Sequence, residues 1–282
     1  MILLLIFIFG LCVGSFLNVL IDRIPKNEQV FKGRSYCDNC KRKLKWYDMI
    51  PVTSFLFLRR KCRYCHSPIS FYYPLVEILT GIIFICVYFY VLKLNNLPFT
   101  IFHLSFDSTI EQFSNLTINY VYLLFITCSL IVIFFSDLKY GIIPDKIIFP
   151  AVIITIAYQV LSILYPQIIN NQLSIFNSLF SATSAFIFMF LLFLITKGKG
   201  MGFGDVKFAF LMGLVLGFPN IISAFYLAFL TGAVVGIILI IWGKKKLGDG
   251  KIPFGPFLVL GTFLNLFLGS QIIQSVLRWL SF

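Results

Sequence analysis

The segment SIFNSLFSATSAFIFMFLLFLIT, at residues 174–196, has no charged side chain in 23 consecutive positions. An α-helix needs about 20 mostly apolar residues to cross the hydrocarbon core of a bilayer, which is roughly 30 Å thick. The segment is therefore long and apolar enough to span a membrane. It predicts a membrane protein built from helices.

Seven other apolar stretches support the same fold class. They lie at residues 1–21, 71–92, 118–136, 142–164, 206–218, 220–242 and 254–277. The stretch 206–218 has only 13 residues before Pro219, so its helix either takes residues from the glycine-rich segment before it or that segment enters the membrane. We predict an all-α polytopic membrane protein with about eight transmembrane helices.

Composition agrees with this assignment and excludes one class of partner. Apolar residues make up 59% of the chain and charged residues 12%, about half the charged share of a soluble domain. The net charge of +12 lies between apolar runs instead of forming one basic surface, so we expect no nucleic acid partner. The partner expected from this composition is the lipid bilayer.

The positive charges predict the orientation in the membrane. If residues 22–70 are cytoplasmic and the sides alternate, 21 of the 23 Lys and Arg residues fall in cytoplasmic segments, which include 243–252. The positive charges begin at Arg23, after the first apolar stretch, which is the reverse of a cleavable signal peptide. We expect a retained first helix (1–21), a cytoplasmic domain (22–70) and a transmembrane domain (71–282).

Four cysteines in the cytoplasmic segment predict a metal site. Cys37 and Cys40 form one C-x2-C pair, and Cys62 and Cys65 form another. Four thiolates in two such pairs are typical of a tetrahedral zinc site. Two disulfides are the competing interpretation, disfavoured in a reducing cytoplasm. Since four cysteines fill the zinc shell, we expect a structural metal, with His66 as a bystander.

Acidic residues near predicted membrane helices are the candidate functional groups, because ionisable groups at that depth are costly. Asp137 ends a span, where a carboxylate opposes the helix dipole. Asp145 follows a proline at a helix start, where capping explains it. Asp205 precedes the short span, where an N-cap and a functional role are about equally supported. Glu77 lies inside the second span.

Asp137 and Asp205 are predicted to lie at the same cytoplasmic edge of the membrane. Two neighbouring carboxylates do not both ionise easily, so one retains a proton. Such a pair serves peptide hydrolysis, in which one member activates water and the other donates a proton. Gly202 and Gly204 would let a substrate backbone approach Asp205 closely. A phosphate-binding loop is disfavoured because its sequence motif is missing.

At these residues the chain resembles the bacterial prepilin peptidases, the Gly-x-Gly-Asp membrane aspartic proteases. The resemblance covers nearly the whole chain, including both cysteine pairs and the region from Asp137 to Asp145. Its other motifs are Gly14-Ser15-Phe16-Leu17-Asn18-Val19, Tyr73-Pro74-Leu75-Val76-Glu77, Gly202-Phe203-Gly204-Asp205-Val206-Lys207 and Pro253-Phe254-Gly255-Pro256. Phe208 departs from the leucine that is common after Lys207 in the family.

The resemblance implies that Asp137 and Asp205 are the catalytic pair, with Asp145 as a neighbour. It implies cleavage of prepilin or pseudopilin precursors after a glycine that follows a short basic leader, at the cytoplasmic face of the bacterial inner membrane. Many relatives with the cysteine domain also methylate the new N-terminus with S-adenosylmethionine. Glu77 has two interpretations: a role in methyl transfer, or pairing with a cation in the bundle.

Three alternatives remain at this stage. An archaeal preflagellin-type peptidase is disfavoured because the cysteine domain is present. A transporter predicts acids near the middle of the bilayer, whereas these cluster at one face. A non-catalytic zinc-bearing scaffold for pilus or competence machinery would tolerate the loss of both aspartates.

Overall fold

The computed structural model describes residues 1–30, 35–37, 39–94, 109–166, 174–198, 200–242 and 253–280. The predicted cytoplasmic segment 243–252 lies outside the described residues. A 3-10 helix covers Trp46–Met49. The α-helices are α1 (Ile2–Arg23), α2 (Thr53–Phe57), α3 (Tyr72–Leu94), α4 (Thr109–Tyr140), α5 (Asp145–Leu164), α6 (Ile175–Ile195), α7 (Phe203–Leu216), α8 (Asn220–Ile241) and α9 (Gly255–Leu280).

The chain divides into two compact units, Met1–His103 and Leu104–Phe282. The first unit holds α1, the cysteine segment with α2, and α3. In it α1 packs against α3 in antiparallel fashion, with Gly10 facing Gly81 and Gly14 facing Glu77. A Cβ at either Gly10 or Gly14 would lie 2.7 Å from a backbone atom of α3, so these glycines allow the two helices to approach closely.

The second unit is a bundle of α4 to α9 around α7. Ten of the 14 residues of α7 are buried, and α7 packs against α5, α6, α8 and α9. An apolar helix of this kind is typical of the centre of a bundle. The closest contact is at Gly213, where an added Cβ would overlap the backbone of Ala182 in α6. The second unit thus has its core along one short helix.

The start of α7 shows that the short apolar stretch 206–218 extends its helix into the glycine-rich segment. The helix begins at Phe203, so it takes Phe203, Gly204 and Asp205 from the glycine-rich segment and ends before Gly217. Its 14 residues cover about 21 Å, less than the thickness of the hydrocarbon core. Asp205 therefore lies in the first turn of the helix instead of in the loop before it.

Six helices in the described part are long and apolar enough to cross a membrane, by length and composition: α1, α3, α4, α5, α6 and α8. The other two predicted spans also form apolar helices. α7 is shorter than a span, and the described apolar stretch of α9, Gly255–Gly269, is shorter as well. All eight predicted apolar stretches are helical, and six of them reach spanning length.

Candidate active site

Asp137 lies in the last turn of α4 and is 5% exposed. The helix ends three residues later, and the chain turns at Gly141, whose N–H donates to the Asp137 carbonyl oxygen at 2.8 Å and whose φ is +65°. The side-chain Oδ2 is buried, and no hydrogen bond of normal geometry reaches it among the described residues, although the backbone N–H of Gly255 lies near the carboxylate. A carboxylate at this end of a helix gains nothing from the helix dipole, so its presence calls for a functional explanation.

Asp205 lies in the first turn of α7 and is also 5% exposed. Its Oδ2 accepts a hydrogen bond from the backbone N–H of Gly202 at 3.0 Å. Gly202 is the N-cap of the helix, and Asp205 is the third residue inside it. The capping role considered from the sequence is thus present, although Asp205 caps from inside the helix. One carboxylate oxygen stabilises the helix start, and the other carries no such bond in the described structure.

The two carboxylates are near enough to interact electrostatically. Ile143, in the short connection from α4 to α5, packs between the first turns of α7 and α9, next to the two acids. Its Cβ lies 3.0 Å from the position that a Cβ of Gly204 would occupy, and its Cδ1 lies 3.1 Å from the corresponding position at Gly255. The end of α4 and the starts of α7 and α9 therefore meet around one buried pair of acids.

Gly255, the first residue of α9, lies directly against the Asp137 carboxylate. A Cβ at this position would lie 2.5 Å from Asp137 Oδ2, closer than any real contact allows. Sequence reasoning included Gly255 in a family motif but gave it no role at the site. The contact explains the glycine, because any side chain would displace the acid.

Gly202 and Gly204 have different surroundings, although they belong to the same motif. A Cβ at Gly204 would be crowded by Ile143, so this glycine is required by packing inside the protein. At Gly202 the nearest atoms to an added Cβ are Asp205 Oδ2 at 3.8 Å and the Gly204 nitrogen at 3.9 Å. Since a side chain fits there, internal packing does not explain a glycine at this position.

Asp145 is the first residue of α5, as predicted, but makes no side-chain capping hydrogen bond. Both of its carboxylate oxygens instead accept from the Lys207 ammonium at 2.8 Å. Sequence reasoning missed this ion pair because 62 residues separate its members and nothing local connects them. The pair joins the starts of α5 and α7 beside the buried acids.

Glu77 belongs to the first unit, in the second turn of α3, and is buried. Its Oε2 accepts from the backbone N–H of Val52 at 2.8 Å, and the Ser15 hydroxyl also bonds to the carboxylate. Val52 has a φ of +58°, an unusual conformation for a β-branched residue. Among the described residues the partners of Glu77 are a backbone amide and a hydroxyl instead of a cation.

The four predicted cysteines of the first unit lie together. Their sulfur atoms all lie within 4.8 Å of one another, and Cys37 Sγ is 3.8 Å from Cys65 Sγ. Metal–sulfur bonds of about 2.3 Å in a tetrahedron place the sulfur atoms about 3.8 Å apart. All four thiols are free. The cluster has the ligand set and spacing to hold one metal ion.

The two cysteine pairs sit in matching turns. The N–H of Lys41 donates to the Cys37 carbonyl oxygen, and the N–H of His66 donates to that of Cys62. Lys41 and His66 both have a φ of +55°. His66 thus corresponds to Lys41 as a turn residue, and it is not part of the ligand cluster.

Ser67 lies next to the cluster and influences one of its thiols. Its hydroxyl oxygen is 3.1 Å from Cys65 Sγ, and this hydrogen bond lowers the pKa of the Cys65 thiol to about 6. A metal binds the thiolate form, which this contact favours.

The chain matches two family models. Residues 8–91 match the bacterial peptidase A24 N-terminal domain, and residues 124–237 match the type IV leader peptidase family. The first match includes the four cysteines, and the second includes Asp137, Asp145 and Asp205. No solved structure matches the chain.

Curated relatives match over nearly the full length. The prepilin leader peptidase/N-methyltransferase of Legionella pneumophila is 30% identical over 299 residues, which cover 95% of this chain and 91% of that protein. The protein of the same name from Bacillus subtilis is 29% identical over 274 residues, covering 97% of each chain. That from Pseudomonas aeruginosa is 27% identical, covering 98% of this chain and 93% of the relative.

Proposed function

The chain belongs to the type IV leader peptidase family, and from that premise we propose that it removes the leader from prepilin or pseudopilin precursors, with Asp137 and Asp205 as the catalytic acids. The observation that carries the assignment is the buried Asp137 carboxylate, which interacts with Asp205 and has one buried oxygen that receives no hydrogen bond of normal geometry in the described structure. Such a group is costly to bury unless a substrate or water uses it.

In the proposed reaction the two carboxylates share one proton, because two neighbouring negative charges repel each other. The ionised member removes a proton from a water molecule, whose oxygen forms a bond to the carbonyl carbon of the scissile peptide. The protonated member donates its proton to the carbonyl oxygen, which gives a tetrahedral diol. The carboxyl that took the proton from water then gives it to the leaving amine, the C–N bond breaks, and the other carboxylate takes a proton from a diol hydroxyl as the new carboxyl group forms. Asp205 is held in position by Gly202, and Asp137 by its close packing against Gly255.

Gly202 supports a substrate that approaches as extended backbone. This position has room for a side chain, so its glycine is best explained by something outside the chain that passes close to Asp205. The resemblance to prepilin peptidases suggests that this is the segment around the glycine before the cleavage site.

We place the acids at the cytoplasmic face of the inner membrane, on the strength of the charge distribution. The protein is a multi-pass membrane protein by its apolar helices and its family. The segments predicted to be cytoplasmic carry nearly all of its Lys and Arg residues, which agrees with the positive-inside rule. Asp137 and Asp205 border two of those segments.

The cysteine cluster is proposed to hold one structural zinc ion. Its spacing fits tetrahedral zinc, and four thiolates leave no open coordination position for a substrate. When bound, the metal would supply cross-linking of the two turns and no catalytic chemistry. The segment around the cluster is small and has few buried apolar side chains. A segment of this kind gains much of its folding free energy from a structural zinc ion.

The proposal includes N-methylation of the new N-terminus, since the relatives carry that activity in their names. The methyl donor would be S-adenosylmethionine, consumed as a substrate, and we assign no residue to it. The hydrogen bonds of Glu77 to Val52 and Ser15 support a structural role for that acid.

The test is leader removal by the purified full-length protein, followed by mass spectrometry with S-adenosylmethionine present. Asp137→Asn and Asp205→Asn should each abolish cleavage, whereas Asp22→Asn, a carboxylate bonded to Tyr73 in the first unit, should leave it. Full cleavage by either of the first two variants contradicts the assignment. An added methyl group on the wild-type product would report the second activity.

A further inference from the structure

The short helix α2 presents large apolar side chains to its surroundings. Leu56 is 66% exposed and Phe57 is 87% exposed, while Phe55 of the same helix is buried. Two adjacent side chains of this size are costly to keep in water. An exposed apolar pair next to a membrane helix indicates a surface that is covered in the working protein.

The position of α2 is fixed against the beginning of the spanning helix α3. Val52, just before α2, donates its N–H to Glu77 Oε2, and Glu77 lies five residues into α3, about 7.5 Å along its axis. The ring of Phe55 packs against that of Phe71, the residue immediately before α3, with 5.8 Å between centroids. The residue before α2 therefore lies level with the second turn of α3, and Phe55 lies level with the beginning of that helix.

The segment directly after α2 is rich in basic side chains and has no acidic one. Residues 53–71 contain Arg59, Arg60, Lys61 and Arg63 and no Asp or Glu. Arg63 is paired with Asp48 at 2.7 Å, and the Arg60 guanidinium lies over the Phe71 ring. Arg59 and Lys61 line an open cleft next to Phe57.

We propose that α2 is an interfacial anchor that inserts into the same membrane as α3. Leu56 and Phe57 enter the boundary between headgroups and acyl chains, and Arg59 and Lys61 contact the phosphates of anionic phospholipids. Interfacial helices combine these two features, with apolar side chains buried about 5–10 Å deep and cations at the headgroups. The Val52–Glu77 hydrogen bond and the Phe55–Phe71 contact hold α2 beside the beginning of α3, where this boundary is expected.

The anchor gives the cysteine segment a fixed attachment to the membrane surface besides its two covalent connections. It does not depend on the peptidase chemistry, because it requires only that α3 spans the membrane. A failed anchor and a failed catalytic assignment are therefore distinguishable by measurement.

The depth of α2 is tested with the full-length protein in nanodiscs of phosphatidylcholine and phosphatidylglycerol, with bromine atoms on the acyl chains. Phe57→Trp provides the reporter, and Tyr36→Trp, beside the cysteine cluster, provides the matched control. The native tryptophans are first replaced by phenylalanine: Trp46, Trp242 and Trp279. We expect bromine to quench Phe57→Trp several-fold more strongly than Tyr36→Trp, and aqueous iodide to show the opposite order.

Equal quenching of the two reporters by bromine would overturn the proposal. Protection of Phe57→Trp from iodide only after a pilin-like substrate is added would also overturn it and assign the surface to a protein partner.

The cations are tested in the same system by varying the phosphatidylglycerol content. Bromine quenching of Phe57→Trp should increase with the anionic lipid, since each cation near such a surface contributes roughly a fivefold change in partition. Arg59→Gln with Lys61→Gln should remove most of this increase. Lys41→Gln with Lys43→Gln, in the other cysteine turn, should retain it. Equal effects of the two double variants would contradict specific contact of Arg59 and Lys61 with lipid phosphates.

Discussion

The ammonium group of Lys207 lies 2.8 Å from both carboxylate oxygens of Asp145. Asp145 begins α5, and Lys207 lies in the second turn of α7, two residues after Asp205. The side chains are partly exposed, at 50% for Asp145 and 28% for Lys207. The pair therefore joins two helices at the edge of the site, whereas Asp137 and Asp205 are buried within it.

This geometry predicts a modest effect for Asp145→Asn. A partly exposed ion pair contributes at most about 1 kcal/mol, so the rate of leader cleavage should fall by roughly fivefold or less. The exchanged pair, Asp145→Lys with Lys207→Asp, should recover more activity than either single change. Rates from a quantified cleavage assay decide this. Abolition of cleavage by Asp145→Asn, at a level equal to Asp137→Asn, would make Asp145 a catalytic acid.

Gly255→Ala should disable the site through Asp137. The new Cβ would lie 2.5 Å from Oδ2 and 3.0 Å from the carboxyl carbon of Asp137, so the carboxylate must shift from its position in the site. Overpacking of this kind costs about 1–3 kcal/mol, and we expect cleavage to fall by roughly fivefold to 150-fold. Gly232→Ala is the matched control, because its Cβ would meet only phenylalanine side chains at 3.4 Å. Wild-type cleavage by Gly255→Ala would show that the contact is not needed.

Alanine substitutions separate the two glycines before Asp205. Gly204→Ala should lower the thermal midpoint, because its Cβ would crowd Ile143. Gly202→Ala should leave the midpoint unchanged and raise the KM for a prepilin substrate, since the added methyl group projects into open space. Thermal unfolding and steady-state kinetics on both variants measure the two effects. An unchanged KM for Gly202→Ala would mean that substrate does not pass close to this residue.

Metal analysis of the purified protein should find one zinc ion per chain. Cys62→Ser should lose the metal, because it removes one of four ligands, and His66→Ala should retain it, because His66 is a turn residue outside the cluster. Chelation should open the cysteine segment to proteases while α1 and α3 remain helical. If Cys62→Ser retained the zinc and His66→Ala lost it, His66 would be a ligand in place of Cys62.

Substitutions of Glu77 distinguish its two roles. Glu77→Ala leaves the partly buried Val52 N–H without its acceptor, which costs up to about 1–3 kcal/mol and should lower the thermal midpoint. Glu77→Gln keeps an acceptor oxygen and should be close to wild type in stability and in methylation of the cleaved product. A stable Glu77→Gln variant that cleaves but does not methylate would instead assign the carboxylate to methyl transfer.

Most of the helices were predictable from sequence because seven of the eight apolar runs are long enough to cross a bilayer. The cysteine cluster was predictable for a similar reason, since each C-x2-C pair is a local feature that metal geometry completes. The position of Asp137 at a helix end followed from the charged residues after it. In each case the signal is local: an apolar run, a C-x2-C pair or a charged residue next to a span.

The contacts around the acids were not predictable in this way. Gly255 touches Asp137 across more than 100 residues, and Ile143 packs between two helix starts that the sequence does not connect. The role of Lys207 depends on the direction of its side chain toward α5. These contacts come from tertiary packing, which periodicity and composition do not encode.

The burial of α7 has a consequence for how the protein responds to its bilayer. Membranes of different thickness act on a protein by hydrophobic mismatch, which tilts or strains the helices that touch lipid. α7 is shorter than the bilayer core, yet it is enclosed by other helices, so acyl chains have little of it to contact. The helix that carries Asp205 is thereby shielded from mismatch, and the outer helices absorb changes in membrane thickness.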